Sequence, residues 1–324
     1  MSDWRPGATR AVLQARAALL CRLRAFFAER QVLEVDTPLL ARYGVSNPAI
    51  ESLCVAARGA DGHTNRGRGA QFLQTSPEFF MKRLLAAGSG DIYQLGKVFR
   101  AGESGARHNP EFTLLEWYRL GFTLHQLIDE VGALVAACLG RSGWRRVSYR
   151  TLFARHLGLD PHRASVERLE RTARARLDLG ALALDGDAWL DLLMSHCIEP
   201  AIAADGLVFV HDYPESQAAL ARCTRRAGLR VAERFELYVD GVEIANGYRE
   251  LLDPEELERR AALDNEKRRR SGRPARDLDP RLLAALRSGL PDCSGVALGV
   301  DRLLLLHLGA QRLDEVMPFS AERC

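Results

Sequence analysis

Two stretches that are far apart in the chain each place an arginine where it could bind phosphate. Residues 99–118 read FRAGESGARHNPEFTLLEWY, and residues 295–302 read GVALGVDR. Arg100 stands where an apolar run opens into a polar loop, and a guanidinium there can give two parallel hydrogen bonds to phosphate oxygens. In the second stretch, two glycines allow close backbone approach before Arg302. The two arginines together predict a binding site for a nucleoside triphosphate. Either one alone is a weak indication, because surface arginines are common.

The loop after Arg100 joins two apolar, aromatic-rich runs, residues 93–100 and 112–118, which is typical of two antiparallel strands. The two-residue period of a strand puts Glu116 and Tyr118 on one face. A carboxylate and a phenol on the same face could hold a substrate ammonium group. For Glu116 taken alone, the favoured alternative is a glutamate on a solvated sheet face.

A second pair of carboxylates is predicted in the segment FELYVDGVEIANGYRE, residues 235–250. Asp240-Gly241 is a strong two-residue hairpin turn, so Tyr238 should pair with Glu243, and Glu236 should lie diagonally across from Glu243. Like charges at this range repel unless a cation or solvent separates them. Magnesium that bridges nucleotide phosphates would suit these hard oxygen ligands. The alternative is that both carboxylates face water.

Histidine contributes little to the predicted chemistry. None of the eight histidines has a metal-ligand spacing, and only His108, in the loop after Arg100, is placed near the predicted site. Its role is either a contact or the positioning of the loop. Because no general base or covalent nucleophile is evident, a reaction driven by positioning and phosphate electrostatics is favoured.

The remaining elements indicate a mixed α+β fold with much antiparallel pairing. Helical spacing runs from Thr9 to Glu29, and a short strand follows at Val32–Val35. Ser76-Pro77-Glu78 predicts a helix start, with serine as the cap and proline in the first turn. Three further features are a glycine-rich hairpin connection over residues 58–70, a helical insertion over residues 142–205, and strands at residues 207–210 and from residue 235.

Composition bounds the class of protein. The chain has 324 residues with 47% hydrophobic content, no apolar run of the roughly 20 residues that cross a bilayer, and no apolar core of a secretory signal near its start. We therefore expect a cytoplasmic globular protein. Its seven cysteines form no CxxC pair, and its net charge of +3 is too small to argue for nucleic acid binding. Two arginine-dense regions, residues 141–176 and 266–276, are best explained as solvated surface.

The chain resembles the class II aminoacyl-tRNA synthetases, most closely the lysyl branch. RHNPEFTLLEWY and EIANGYRE carry this resemblance most specifically. Residues 32–38, 99–118 and 295–302 are similar to the first, second and third motifs of that class. The resemblance implies an antiparallel sheet flanked by helices, and dimerisation through the first motif. It covers residues 1–324 as a single catalytic domain, and the position of the first motif leaves no room for an N-terminal anticodon-binding barrel.

TSPEFFMKRLL and PDCSGVALGVDRL resemble a freestanding family of lysyl-type ligases. The resemblance implies that ATP and (R)-β-lysine form an aminoacyl-adenylate, and that a lysine side chain of elongation factor P then attacks it. A protein rather than tRNA would be the acceptor. Two alternatives stay open: a minimal lysyl-type synthetase that charges tRNA, and a non-catalytic relative that kept the fold as a binding module.

The resemblance also assigns residues to the site. It implies that Arg100 binds the α-phosphate, Arg302 the triphosphate tail, and Phe112 the face of adenine. Magnesium would be held by Glu236 and Glu243. The catalytic residues would be Arg100, Arg302 and Glu243; the ATP-binding set adds Ala101, Gly102, Glu103, Asn109, Phe112, Ile244 and Gly299. The diamino acid would be surrounded by Ser76, Pro77, Glu78, Glu116, Tyr118, Asn246, Glu250 and Ala297, although Ser76 has the alternative role of a helix cap.

Two positions depart from the lysyl pattern. Lysyl synthetases usually carry a glutamate two residues after the arginine of the second motif, whereas this chain has Gly102 there and Glu103 next. The contact with the adenine amino group therefore falls either to Glu103 or to the backbone. Ala297 stands where lysyl-tRNA synthetases have glycine. One added methyl group near a pocket changes the preference between two substrates by roughly 1 to 3 kcal/mol. This is enough to disfavour α-lysine if the methyl group crowds its amino group.

Overall fold

A computed structural model describes residues 4–55 and 70–324. The chain forms two compact units. The first consists of Met1–Gly121 and Leu252–Cys324, and the second of Phe122–Leu251. Helices and strands are numbered along the whole chain, and each unit is described by itself.

The main sheet of the first unit has four strands. In spatial order they are β1 (Leu33–Glu34), β5 (Ile92–Phe99), β6 (Glu111–Leu120) and β12 (Cys293–Gly299). β1 and β5 are parallel, and the other two pairs are antiparallel. A smaller antiparallel sheet contains β2 (Leu40–Ala41), β4 (Gln71–Leu73) and β3 (Cys54–Val55). β6 is therefore paired on both sides.

Helices flank this sheet, and their starts follow from local capping. They are α1 (Arg10–Ala28), α2 (Glu78–Ala86), α8 (Pro254–Arg270), α9 (Pro280–Gly289) and α10 (Val300–Leu308). The Thr9 side chain accepts a hydrogen bond from the Val12 amide and caps α1. Near the other end of α1, Phe27 stacks on Tyr93 at a centroid distance of 4.4 Å and meets Trp117 edge-on at 5.2 Å. Burial of these three rings fixes α1 against β5 and β6.

The second unit has five strands and five helices. In spatial order the strands are β11 (Val242–Arg249), β10 (Leu229–Val239), β8 (Leu207–Pro214) and β7 (Arg145–Ser148), with β9 (Cys223–Arg226) also paired to β10. Only the pair β7–β8 is parallel among these. The helices are α3 (Leu124–Leu139), α4 (Tyr149–Leu157), α5 (Val166–Arg174), α6 (Gly186–Leu193) and α7 (Glu199–Ala201).

The core of the second unit is built from aromatic rings on α4, α6 and β8. Tyr149 stacks on Phe153 at 4.4 Å and contacts Tyr213 at 4.6 Å, and Trp189 is buried with them. These aromatic contacts hold α4 against β8, and Trp189 brings α6 into the same buried cluster.

The start of α3 follows from local capping, since Thr123 and Gln126 form a capping box there.

Most sequence predictions of elements are confirmed. The α+β class, the helix after Thr9, the short strand near Val32, and the antiparallel pair on either side of the 100–110 loop are all present. In the hairpin turn, Asp240 and Gly241 have φ values of 51° and 75°, and Tyr238 pairs with Glu243 as expected. Positive φ at both positions is the signature of the tight turn that the Asp-Gly pair favours.

Three predictions need correction. Pro77 occupies the cap position of α2 rather than its first turn, although the Ser76 hydroxyl accepts a hydrogen bond from the Glu78 amide at 3.0 Å. The 142–205 insertion begins with a strand, β7, before its helices. β10 begins at Leu229, ahead of the expected Phe235. The hairpin connection over residues 58–70 lies outside the described residues except for Ala70, and the single-domain assignment stays a prediction.

Within residues 4–55 and 70–324, the structure contains no helix with the length and apolar character needed to span a membrane.

Candidate active site

The first cluster of candidate residues surrounds the buried carboxylate of Glu116 on β6. Its Oε2 accepts a hydrogen bond from the Ser76 hydroxyl at 2.6 Å, and its Oε1 accepts one from the Tyr118 hydroxyl at 2.8 Å. Glu116 is only 2% exposed. The solvated-face alternative for Glu116 is therefore wrong, and the structure brings together three of the residues predicted to surround the diamino acid.

Ala297 borders the same carboxylate. In the antiparallel pair of β6 and β12, Ala297 lies directly opposite Glu116. Side chains of directly paired residues project from the same face with Cβ atoms about 5 Å apart. The methyl group that distinguishes this chain from the lysyl pattern therefore stands beside the carboxylate.

Arg100 forms a second cluster where β5 opens into its loop. Its guanidinium lies 5.0 Å from the centre of the Phe112 ring and 3.6 Å from the Glu103 carboxylate. Its backbone amide donates to Pro110 at 2.8 Å, which closes the base of the loop. Gly102 has a φ of +78°, and Ala101 donates its amide to the Glu51 carbonyl at 2.8 Å. The ion pair makes Glu103 a neighbour of Arg100. Whether Glu103 or the backbone contacts the adenine amino group stays a prediction.

Glu78 stands at the start of α2, where the helix dipole favours a carboxylate. Lys82, one turn later, donates to its Oε1 at 2.7 Å. The Lys82 side chain is only 3% exposed, so this ion pair fixes the direction of the glutamate. Sequence analysis missed Lys82, although the spacing of four residues from an acidic helix start was a usable signal.

Arg302 belongs to a third cluster, at the start of α10. Its Nη2 lies 2.8 Å from His108 Nε2, and its Nε donates to the Arg107 carbonyl at 3.2 Å. Since arginine only donates, His108 Nε2 must accept and the imidazole is neutral in this contact. Burial lowers the pKa of His108, and the Arg302 guanidinium lowers it further. His108, which sequence analysis placed near the site, therefore contacts Arg302, the arginine predicted to bind the triphosphate tail.

Asp301 anchors the helix that carries Arg302. Its Oδ1 accepts from Arg16 at 2.5 Å, and its Oδ2 accepts from the Thr113 amide at 2.6 Å. Arg16 also donates to the Thr113 hydroxyl at 2.6 Å. The buried Asp301 therefore ties α10 to β6 and α1. Sequence analysis missed it because an aspartate beside the more conspicuous arginine gave no sign of its distant partners.

Both polar atoms of the Asn109 side chain form hydrogen bonds with the backbone. Its Nδ2 donates to the Glu111 carbonyl at 2.6 Å, and its Oδ1 accepts from the Ala321 amide at 2.9 Å. These bonds connect the loop after Arg100 to the C-terminal tail. Gly299, in the neighbouring strand β12, pairs with Leu114 and forms the cap of α10. Their predicted nucleotide contacts stay predictions.

In the second unit, Glu236 lies inside a cage of hydrogen-bond donors. Its Oε2 accepts from the hydroxyls of Tyr213 at 2.7 Å and Tyr238 at 2.5 Å. Its Oε1 accepts from Arg234 at 2.5 Å and more weakly from Asn246 at 3.4 Å. Burial would lower the pKa of Arg234, but the facing Glu236 carboxylate outweighs burial and raises it. The carboxylate is therefore compensated by the protein itself.

Arg234 reaches three acceptors from this position. Besides Glu236, its Nε donates to Asn246 Oδ1 at 3.3 Å and its Nη1 to the Gln217 carbonyl at 2.6 Å. The guanidinium also lies 4.5 Å from the centre of the Tyr213 ring. Sequence analysis missed Arg234, yet the two-residue period of β10 placed it on the same face as Glu236.

The other candidates of this unit lie on or just after β11. Glu243 is half-buried and pairs with Tyr238, and its charge contributes to the raised pKa of Arg234. Ile244 is buried, and Glu250 is 1% exposed with its backbone bridged to Ala221. Glu236 pairs directly with Asn246. The structure thus places Glu236, Glu243 and Asn246 on neighbouring strands.

The metal-binding potential of the described residues is limited to pairs. Residues 4–55 and 70–324 contain no group of three or more histidine, cysteine, aspartate or glutamate side chains arranged to hold a metal ion. A magnesium ion that depends on one or two carboxylates and on substrate phosphates does not need such a group. Glu236 and Glu243 fit that kind of site, with the weak Asn246 bond as the most easily exchanged contact of Glu236.

Comparison with known proteins identifies the class. The family model for class II tRNA synthetases (D, K and N) matches residues 1–323, and the chain belongs to this family.

Two curated relatives are more specific. The chain is 46% identical over 325 residues to the elongation factor P--(R)-beta-lysine ligase of Photorhabdus laumondii, which covers 98% of both chains. It is also 46% identical over 328 residues to the protein of the same name from Yersinia enterocolitica, which covers 99% of this chain and 98% of the relative. The relatives are thus matched along almost their whole length.

The contact between His108 and Arg302 predicts a shifted titration. We expect the pKa of His108, followed by NMR of the imidazole protons, to lie below the ordinary 6.5. Arg302→Ala should raise that pKa towards 6.5 because one opposing charge is lost while burial remains. Arg302→Lys, which keeps the charge, is the control.

Since the pKa of His108 is lower in the folded than in the unfolded state, the contribution of neutral His108 to stability should be present above pH 6.5 and be lost as the pH falls through the folded-state pKa. A pKa that does not respond to Arg302→Ala would contradict this account.

The donor cage of Glu236 predicts a large stability effect. Arg234→Met should lower the free energy of unfolding by about 3 to 5 kcal/mol, because it leaves the buried Glu236 charge without its cation. Arg230→Met is the matched control on the same strand: Arg230 is 53% exposed and pairs with Glu215, so its loss should cost about 1 kcal/mol or less. Urea denaturation followed by circular dichroism measures both. Equal losses in the two variants would show that Glu236 does not depend on Arg234.

Proposed function

We propose that this chain is a ligase that activates (R)-β-lysine with ATP and transfers it to a lysine side chain of elongation factor P. Support comes from the two curated relatives of that name, which match 98% or more of this chain. The observation that carries the proposal within the molecule is the Glu116 cluster, because a buried carboxylate beside a phenol suits a cationic amino acid.

The reaction has two steps. A carboxylate oxygen of β-lysine attacks the α-phosphorus of ATP, so that a mixed anhydride forms and pyrophosphate leaves. The neutral ε-amine of the acceptor lysine then attacks the carbonyl carbon, which forms an amide, releases AMP and gives up one proton. Neither step needs a covalent enzyme intermediate, so positioning and charge neutralisation suffice.

The spacing along β6 suits this reaction. Phe112 and Glu116 share a face and are four residues apart, which corresponds to about 13 Å at the usual rise of a strand. Arg100 lies against Phe112 at one end, and Ser76 and Tyr118 bond to Glu116 at the other. A nucleotide base at Phe112 and an ammonium group at Glu116 would leave the distance between them for the ribose and the α-phosphate.

Residue roles follow from this arrangement and from the family. Arg100 would bind the α-phosphate and Arg302 the triphosphate tail, and Phe112 would stack on adenine when Arg100 turns to the phosphate. The ATP site would be completed by Ala101, Gly102, Glu103, Asn109, Ile244 and Gly299. The diamino acid would be held by Ser76, Pro77, Glu78, Glu116, Tyr118, Asn246 and Glu250.

Magnesium would be held by Glu243 and Glu236. Glu243 is the more available ligand, since the Glu236 carboxylate accepts two tyrosine hydroxyls and Arg234. When bound, magnesium supplies positive charge to the phosphates. Arg234 faces one oxygen of Glu236 and directs the carboxylate, and Tyr213 and Tyr238 fix its second oxygen.

A homodimer completes the proposal. Leu33, Leu39 and Leu40 are 56%, 42% and 40% exposed. Leu33 lies within residues 32–38, which resemble the dimer-forming first motif, and the other two leucines follow directly after that segment. Among residues 4–55 and 70–324, the one strand that pairs with β1, which contains Leu33, is β5. Exposed apolar side chains beside an edge strand are typical of a surface that a second copy covers. We also propose that the protein works in the cytoplasm, where its acceptor is translated and used.

The test of this function uses labelled (R)-β-lysine, ATP and magnesium with either elongation factor P or lysine tRNA. We expect label on the protein and not on the tRNA. Arg100→Ala should lower β-lysine-dependent pyrophosphate exchange by about 100-fold or more, because the charge that stabilises the α-phosphate is lost. Lys97→Ala is the control. Lys97 lies on β5, three residues before Arg100, and forms a partly exposed ion pair with Glu111, so this variant should retain activity. Charging of tRNA instead would favour the minimal synthetase, and absence of any exchange would favour a binding module.

The position of Ala297 predicts a role in substrate choice. Ala297→Gly should improve the use of α-lysine relative to β-lysine by about 10-fold, because it removes the methyl group beside Glu116. Separate kcat/KM values for the two amino acids in pyrophosphate exchange measure this ratio. An unchanged ratio would exclude Ala297 as a determinant.

A further inference from the structure

Gln94 is a polar side chain in the middle of β5 that no predicted role accounts for. It is 5% exposed, and it pairs directly with Glu116 in the antiparallel register of β5 and β6. Since Ala297 pairs with Glu116 from the other side, Gln94, Glu116 and Ala297 form one row across three strands. Directly paired residues project from the same face, so Gln94 shares the face of the Glu116 cluster.

The side-chain oxygen of Gln94 is buried and accepts no hydrogen bond from any residue in the described ranges 4–55 and 70–324. Native proteins pair the great majority of their buried polar atoms. An acceptor that is kept in the core without a donor is costly and needs an explanation. Because a carbonyl oxygen can only accept, the missing partner must be a donor.

The surroundings restrict the nature of that donor. Glu116 contributes two more acceptor oxygens, which accept hydrogen bonds from the Ser76 and Tyr118 hydroxyls. Ala297, on the far side of the row, adds no polar group. The row therefore offers acceptors from two neighbouring strands, which matches an ammonium group with its three N–H donors and its positive charge.

We propose that Gln94 is a further substrate-binding residue, whose side-chain oxygen accepts a hydrogen bond from one of the two ammonium groups of the diamino acid that Glu116 binds. The inference rests on the proposed function, and it adds a specificity determinant to it. An amide suits this position because it supplies an acceptor without a second charge. A carboxylate here would repel Glu116 and tend to take up a proton, which would remove an acceptor.

The first experiment compares Gln94→Met with the wild-type chain in β-lysine-dependent pyrophosphate exchange. Methionine keeps the length and volume of glutamine and removes the acceptor. We expect the KM for (R)-β-lysine to rise about 10-fold or more, as for loss of a hydrogen bond to a charged group, while the KM for ATP changes less than about 3-fold. Lys97→Met, an exposed residue on the other face of the same strand, is the control and should leave both values unchanged.

The second experiment uses two competitive inhibitors that each keep one ammonium group. 6-Aminohexanoate lacks the β-amino group of β-lysine, and 3-aminohexanoate lacks the ε-amino group. Gln94→Met should weaken inhibition by the analogue that keeps the ammonium contacted by Gln94 and leave the other unchanged, which also identifies the ammonium. An equal effect on both analogues, or none on either, would overturn the proposal, as expected if a buried water satisfies Gln94.

A second variant covers the case in which Gln94→Met does not fold. Gln94→Asn keeps the amide but withdraws it by one methylene, and it should raise the KM for (R)-β-lysine in the same direction with an unchanged circular dichroism spectrum. A wild-type KM in a folded variant refutes the role of Gln94 while the proposed function stands. If the wild-type chain itself shows no exchange with (R)-β-lysine, the proposed function fails instead.

Discussion

The arrangement of this protein depends on keeping carboxylates charged inside its core. A buried carboxylate is stable only when donors or a cation compensate it. Asp301 receives Arg16 and a backbone amide, and Glu236 receives Arg234 with two tyrosine hydroxyls. Glu116 likewise receives the hydroxyls of Ser76 and Tyr118. Each of these buried carboxylates is therefore directed by donors that face it.

The register of the strands fixes which side chains surround the carboxylate of Glu116. β6 is paired on both sides, so each residue of its polar row has a fixed neighbour on β5 and on β12. A shift of one residue would turn Glu116 into the opposite face and bring Leu115 out of the core. Asp301 opposes such a shift, because it bonds to the Thr113 amide and to Arg16 at once. The same contact sets where α10 begins, and therefore where Arg302 stands relative to His108.

The sequence predicted those features that depend on local chemistry. The Asp-Gly turn, the alternation along β6 and the helical spacing from Thr9 follow from patterns that act within a few residues. The pairs beside the turn, Tyr238 with Glu243 and Val239 with Val242, followed as well. Beyond Tyr238 a β-bulge shifts the register, so that Glu236 pairs with Asn246, which the turn alone could not predict. Asp301 was missed because its importance lies in partners that the fold brings together. Lys82 and Arg234 were missed although each has a partner only four or two residues away, Glu78 and Glu236. Arg16, for example, is one of many arginines in the chain until it meets Asp301, 285 residues away. The period of β10 could have identified Arg234, because it precedes Glu236 by two residues.

The chemistry of Asn246 shows how a buried pair can orient a third residue. Arginine offers only donors and a carboxylate only acceptors, so the amide of Asn246 can satisfy both Arg234 and Glu236 in one orientation alone. Its oxygen must face the guanidinium and its nitrogen the carboxylate, as observed at 3.3 and 3.4 Å. With one N–H of its amide nitrogen directed to Glu236, the second N–H is the donor that Asn246 can present to a ligand. A donor suits the carboxylate end of an amino acid rather than its ammonium groups. Under the proposed function, Asn246 would contact the carboxylate end of the diamino acid, which is the end that reacts.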